Sequence, residues 1–256
     1  MNNPVFSIIT ITYNASQVLE PTLMSVIEQN YPFIEYIMID GGSTDKTMDL
    51  VNNYREHIKY VVSEPDNGLY DAMNKGLRVA TGNYVWFINA GDALHTPHTV
   101  SDLVKSLNAS LAKGMVYPDI LYGETALVDK NRMFTGMRRL HAPEKLNWRS
   151  FQKGMLVCHQ SFIVRRTLAP EYDLSYRFSS DFVRCIRCMK KAHHIWNSRQ
   201  ILIDYLDEGL TTKNRKESLK ERFRIMCRYY GYPIVVISHL WFAIRFSFAR
   251  LMGKEK

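Results

Sequence analysis

A chain of 256 residues, 46% apolar and 23% charged, can bury the core of one large domain or of a domain with an appendage, which excludes a disordered chain. Its four cysteines (Cys158, Cys185, Cys188, Cys227) follow an opening that runs straight into a strand without a signal peptide, so a reduced, cytosolic setting is expected. The net charge of +8 is carried by residues 213–256, with eleven Lys and Arg against three Glu, whereas the first hundred residues hold five against eleven Asp and Glu; nucleic acid is therefore not an expected partner.

In chain order, the β-branched run Phe6–Thr12 predicts a first strand that ends in Tyr13-Asn14. A helix-period segment over 17–29 leads to a second strand that stops at Asp40, followed by Gly41-Gly42-Ser43-Thr44-Asp45. Ser43 or Thr44 is placed to cap the helix predicted over 47–57. Tyr60–Val62 is a short strand leading into Ser63-Glu-Pro-Asp-Asn-Gly68; a helix over 70–80 follows. The strand Tyr84–Ile88 then ends in Asn89-Ala-Gly-Asp92. This alternation predicts an α/β fold with a mostly parallel central sheet flanked by helices. In such sheets ligands bind outside the carboxyl ends of the strands, where a carboxylate such as Asp40 can meet a base or sugar and glycines permit close approach.

Beyond residue 95 the pattern is less regular. Ile120–Tyr122 and Ala126–Val128 read as two short strands, and a basic stretch covers 132–139. Val157–Val164 reads as a strand carrying His159 and Gln160. Asp181 opens a helix, on which Cys185 and Cys188 share a face one turn apart, a spacing that needs no metal or redox role. Ile195–Tyr205 reads as a final strand pair. Residues 1–212 are thus expected to form one domain, regular over 1–95 and less regular over 96–212. Residues 213–256 form a basic, amphipathic helical extension: a helix over 216–230, a break at Gly231-Tyr-Pro233, and an apolar, aromatic stretch over 234–252. The longest uncharged run, 229–244, is sixteen residues, short of the ~20 that span a bilayer, so an interfacial segment on an anionic membrane surface is expected.

Four motifs in order, Phe6–Asn14, Asp40–Asp45, Ser63–Gly76 and Asn89–Asp92, resemble those of the inverting family 2 glycosyltransferases with the GT-A (Rossmann-like) fold, most nearly the bacterial enzymes that build surface polysaccharides. The resemblance implies transfer of a sugar from a nucleotide-diphosphate donor, most often uridine diphosphate, to a glycan or lipid-linked acceptor, with 1–95 as the nucleotide-sugar-binding half and 96–212 as the acceptor-binding half. It implies donor binding by Thr12, Tyr13, Asn14, Asp40, Asp66, Asp71, Ala90 and Gly91, with Tyr13 lining the base and Asp40 accepting from it. Asp92 would hold Mn²⁺ or Mg²⁺ against the diphosphate, although Asn89 and Gly91 replace the acidic residues of the stricter motif. Asp181 matches the acceptor-side base, and His159-Gln160 resembles a pair near donor or acceptor. Gly209–Thr212 occupies the place of a closing loop. The thinned metal motif keeps open a catalytically decayed nucleotide-sugar-binding scaffold. A nucleotidyltransferase is a further alternative, weakened because Thr12–Ser16 lacks a Gly-rich, basic triphosphate loop.

Overall fold

The computed structural model describes residues 3–207 and 215–240. Its sheet runs β3-β2-β1-β4-β8-β6-β9-β5, with β7 paired on β6. The N-terminal part is parallel: β1 (Phe6–Thr12) lies between β2 (Ile34–Asp40) and β4 (Tyr84–Phe87), and β3 (Tyr60–Ser63) pairs outside β2. Beyond β4, β8 (Phe162–Arg165) runs antiparallel to both β4 and β6 (Ile120–Val128), and β9 (Ile195–Leu206) returns parallel to β6. The two-residue β5 (Ala93–Leu94) closes that edge against β9, and β7 (Phe134–Met137) makes a hairpin with β6.

Alternation within the strands sets two cores. In β1, β2 and β4, Phe6, Ile8, Tyr36, Met38, Tyr84 and Trp86 face one way, toward α1 (Leu19–Ile27), α2 (Thr47–Asn53) and α4 (Thr99–Leu111). Ile9, Ile11, Ile37, Ile39, Val85 and Phe87 face the other, toward α3 (Leu69–Val79), α5 (Ser180–Lys191) and α6 (Arg215–Tyr230). Burial on both faces is why these strands read as near-continuous apolar runs. Cys185 and Cys188 lie in the second core, where burial pushes both thiols up and leaves them unreactive. Ile225, Met226 and Tyr230 of α6 also join that core, so this helix packs on the sheet domain; residues 232–240 continue as a further helix.

Several predicted boundaries shift for identifiable reasons. The two short strands around 120–128 are one strand. Gly123 joins them at a register shift, where a Cβ would stand 2.5 Å from Gln200 O. Residues 195–206 are one long strand, not a pair. Strand β8 begins only at Phe162, because His159–Ser161 wind into a 3₁₀ turn closed by Ser161 N–H to Cys158 O (3.0 Å). The cap of α2 comes from neither Ser43 nor Thr44: Asp45 Oδ1 accepts from Thr47 N (2.9 Å) and the helix starts there. The loop 209–212 and the stretch beyond 240 lie outside the described residues.

At the edge of the sheet opposite the strand carboxyl ends, Glu35 is 4% exposed and gathers β1, β2 and the turn before β4. It accepts from Ser7 Oγ (2.5 Å), Lys59 Nζ (2.7 Å), Thr81 N (2.7 Å) and Thr81 Oγ1 (2.6 Å). Burial pushes its pKa up, but these donors outweigh burial and hold it at about 2. Its folded value is depressed, so its contribution is complete above about pH 4.5 and is lost as pH falls toward 2. Glu35→Gln is expected to cost about 2 kcal/mol at pH 7; in thermal melts against pH, its deficit from wild type should shrink below pH 4.

Candidate active site

The carboxyl ends of β1, β2 and β3 place Thr12, Asp40 and Ser63 side by side in register. Asp40 is fully buried, and its carboxylate is spent on its own loop. Oδ2 accepts from Gly42 N (3.1 Å), Ser43 N (2.9 Å) and Ser63 Oγ (2.6 Å), and Oδ1 from Ser43 Oγ. Asn14, in the left-handed region at φ 47°, ties the neighbouring loop to this one, its Oδ1 accepting from Thr44 N (2.9 Å). These bonds leave Tyr13 standing out, 63% exposed, beside Gly41. A Cβ at Gly41 would collide with Asp66 Oδ2 and touch the Tyr13 ring at 3.4 Å. The ring, the bare Gly41 backbone and the Asp66 carboxylate thus form one cradle. Asp66 Oδ1 accepts from Gly68 N (2.7 Å). Asp71, by contrast, accepts from Asn67 N (3.0 Å) and shapes the turn into α3.

The chain past β4 builds a second cluster. Ala90 N donates to Ile11 O (3.2 Å), and Gly91, at φ 97°, donates to Thr22 Oγ1 (2.9 Å). These contacts turn Asp92 inward, where it is 4% exposed. Its Oδ2 accepts from Gln160 Nε2 (2.7 Å) and its Oδ1 from Leu206 N (3.1 Å). Burial lifts its pKa to about 7 against the pull of Gln160, the Leu206 N–H and Arg132. Arg132 reaches over from the β6–β7 hairpin, with NH1 donating to Gly91 O (2.6 Å) and its own backbone in the left-handed region at φ 63°. Among the described residues, Asn89 Oδ1 and His159 Nδ1 are enclosed without a hydrogen-bond partner, and Asn89 Nδ2 lies 3.5 Å from His159 Nε2. Burial lowers the His159 pKa and keeps the ring neutral. Among the described residues no three His, Cys, Asp or Glu side chains stand together as a metal cage. One carboxylate with neighbouring neutral donors still suits Mg²⁺ or Mn²⁺, which take most of their shell from phosphate and water.

Asp181 lies half-buried in the first turn of α5. Its Oδ1 accepts from Phe182 N (2.8 Å) and from the Tyr70 hydroxyl (3.2 Å). Burial, then the charge of Asp181, raises the Tyr70 pKa, so the phenol stays a donor. The charge of Asp181 also acts on His159, which links this cluster to the second one. Tyr70 and Arg132 were not among the residues expected from the sequence to line the site. Arg132 lay in the basic stretch and Tyr70 in the third motif, but the reach of each across the fold carries no sequence signal.

Residues 7–172 match Glycosyl transferase family 2. The chain is 27% identical over 250 residues to a PGL/p-HBAD biosynthesis glycosyltransferase of Mycobacterium tuberculosis, covering 94% of this chain and 92% of the relative. It is 27% identical over 226 residues to a glycosyltransferase named for teichuronic acid biosynthesis in Bacillus subtilis, covering 86% of each. Its fold superimposes with a TM-score of 0.66 on Staphylococcus aureus TarS in complex with UDP-GlcNAc, at 19% identity, over 86% of this chain and 65% of that one. The chain therefore spans just under two thirds of that solved portion, residues 1–349 of TarS, and 40% of the longer TarS chain.

A buried carboxylate whose folded pKa exceeds its unfolded value destabilises the fold once it ionises. For Asp92 the penalty develops as pH rises from about 4 and is complete above about 7. Asp92→Asn is therefore expected to melt higher than wild type at pH 8, with the gain fading as the pH of the melt is brought toward 4.

Proposed function

The chain belongs to glycosyl transferase family 2, and we propose that it moves a sugar from a uridine-diphosphate donor to a glycan or lipid-linked acceptor in polysaccharide biosynthesis, with inversion at the anomeric carbon. The observation that carries this reading is the meeting of a Tyr13–Asp66 cradle, the Asp92–Gln160 cluster and the Asp181–Tyr70 pair along one edge of the sheet. The uridine assignment is supported by the likeness to TarS, and the polysaccharide role by the relative named for teichuronic acid.

In this mechanism the base stacks on Tyr13 and is read by Asp66 Oδ2, while Asp40 keeps the loop rigid beneath it. Thr12, Asn14, Ala90 and Gly91 shape the floor, and Asp71 acts at one remove by holding the turn that carries Asp66. Asp92 would hold Mn²⁺ or Mg²⁺, and Asn89 Oδ1, enclosed without a partner among the described residues, is a further oxygen that could serve it. Such an ion, when bound, offsets the charge that grows on the departing diphosphate. Arg132 adds a fixed positive charge at the same place. Gln160 orients the Asp92 carboxylate, and the neutral His159, beside Asn89, meets donor or acceptor. Asp181 takes the proton from the acceptor hydroxyl as that oxygen attacks from the face opposite the leaving group. The Tyr70 hydroxyl fixes the rotamer of Asp181, leaving Oδ2 for the proton.

Residues 232–240 present Tyr232 (65% exposed), Ile237 (67%) and Leu240 (61%) to solvent, next to the basic helix α6. Among the described residues no helix is long and apolar enough to cross a membrane. An apolar ridge flanked by Lys and Arg suits peripheral docking on an anionic bilayer, at the inner face of the cell membrane, where a lipid-linked acceptor would be met.

Two measurements test these readings. UDP release from UDP-glucose, UDP-galactose and UDP-GlcNAc, with octyl glycosides as acceptors, should fall by about 10²–10⁴ in Asp181→Asn, while calorimetric binding of UDP with Mn²⁺ stays within twofold. Undiminished turnover would remove Asp181 from the role of base. Wild-type protein should float with vesicles containing phosphatidylglycerol and stay behind with neutral ones. The double variant Ile237→Asp, Leu240→Asp should stay behind with both, and its flotation would rule out the docking face.

A further inference from the structure

The mechanism above leaves α6 outside the reaction, yet two consecutive side chains of this helix hold the start of α5. Glu221 uses both carboxylate oxygens on backbone N–H groups: Oε1 accepts from Phe178 N (2.8 Å) and Oε2 from Arg177 N (2.9 Å). Arg222 lays its guanidinium over the Phe182 ring, 5.2 Å from the centroid. Phe178 and Phe182 stand on either side of Asp181 in the chain. Farther along α6, Arg228 NH1 donates to the Tyr176 hydroxyl (3.0 Å) and the Tyr230 hydroxyl donates to Trp148 O (2.6 Å), while Ile225 and Met226 are buried in the core shared with α5. The helix is therefore seated on the segment that presents Asp181.

We propose that Glu221 and Arg222 of α6 are positioning residues for Asp181, so that the basic C-terminal extension is part of the catalytic apparatus as well as a docking element. The proposal rests on reading Asp181 as the base. A carboxylate that accepts two backbone N–H groups fixes the peptide planes at 177 and 178, and the ring–guanidinium stack fixes residue 182. The segment between these two clamps has little freedom left. A displacement of the base by about 1 Å costs on the order of 10² in rate. The donor cradle at Tyr13 and Asp66 is built by other loops and does not depend on this clamp.

Kinetics of three variants test the proposal: Glu221→Ala, Glu221→Gln and Asp181→Asn, each assayed for UDP release with the best donor and octyl glycoside of the panel, for UDP–Mn²⁺ affinity by calorimetry, and for melting temperature. Glu221→Ala is expected to lower kcat by about 10–100-fold with KM for the donor and UDP affinity within twofold of wild type. Glu221→Gln, which keeps one acceptor oxygen, should recover part of the loss. Amide exchange by mass spectrometry should quicken over 176–184 in Glu221→Ala while the peptides around Tyr13 and Asp66 keep wild-type rates. If Asp181→Asn is inactive and Glu221→Ala keeps full kcat, or loses UDP affinity in step with kcat, the positioning role is overturned and the base stands. If Asp181→Asn keeps turnover, the base reading falls and this proposal falls with it.

Discussion

A single buried carboxylate joins the three stretches from which the site is made. Asp92 stands where the first four strands end, accepts from Gln160 at the entry to β8, and accepts from the backbone of Leu206 at the end of β9. In an enclosed place a charged or polar group must find partners or change its protonation. Asp92 does both: its two oxygens are met by residues 68 and 114 positions away, and its pKa still rises to about 7. Gln160 is fixed in turn, its carbonyl side-chain oxygen accepting from Cys158 Sγ (2.6 Å) and its backbone oxygen from Trp86 Nε1 (2.6 Å). The irregular turn at 159–161, which delays β8, is what brings this amide to Asp92.

A second set of links runs from the third motif to the far half. Tyr70 and Asn74 both lie on α3. Tyr70 reaches Asp181, and Asn74 pairs with the backbone of Tyr172 in both directions, at 2.7 and 3.0 Å. The Tyr70 and Tyr172 rings stack at 5.4 Å, and Arg184 lies 4.8 Å from the Tyr172 centroid. The helix after the Asp66 loop thus orients the segment leading to the proposed base, so the two halves of the fold are mechanically continuous. The polar groups carry the geometry, and the aromatic stack supplies the apolar area that keeps it dry.

The division of labour among the acidic residues follows from burial. Asp40 and Asp66 both end up near Tyr13, but four hydrogen bonds enclose Asp40 while, among the described residues, Asp66 accepts at Oδ1 alone. A carboxylate at a strand end is as well suited to rigidifying a loop as to meeting a ligand, and its neighbours decide which. Here the Gly42 N–H, Ser43 and Ser63 donate to the Asp40 oxygens and hold its loop.

Read by itself, the sequence determined the parallel half of the fold. Strands buried on both faces must be continuous apolar runs, and the helices between them must repeat at 3.6 residues. It also determined which residue types crowd the carboxyl edge of that sheet, and its motifs carried the family. The reversal of β8, the fusion of 120–128 into one strand through Gly123, and the seat of α6 on the core were decided only by tertiary structure. The same holds for the partners that distinguish Asp40 from Asp66 and tie Tyr70, Arg132 and Glu221 to the site. Periodicity reports which face of an element is buried, whereas these contacts join residues tens of positions apart. Their energies depend on shape and on the satisfaction of enclosed polar groups, which no local pattern encodes.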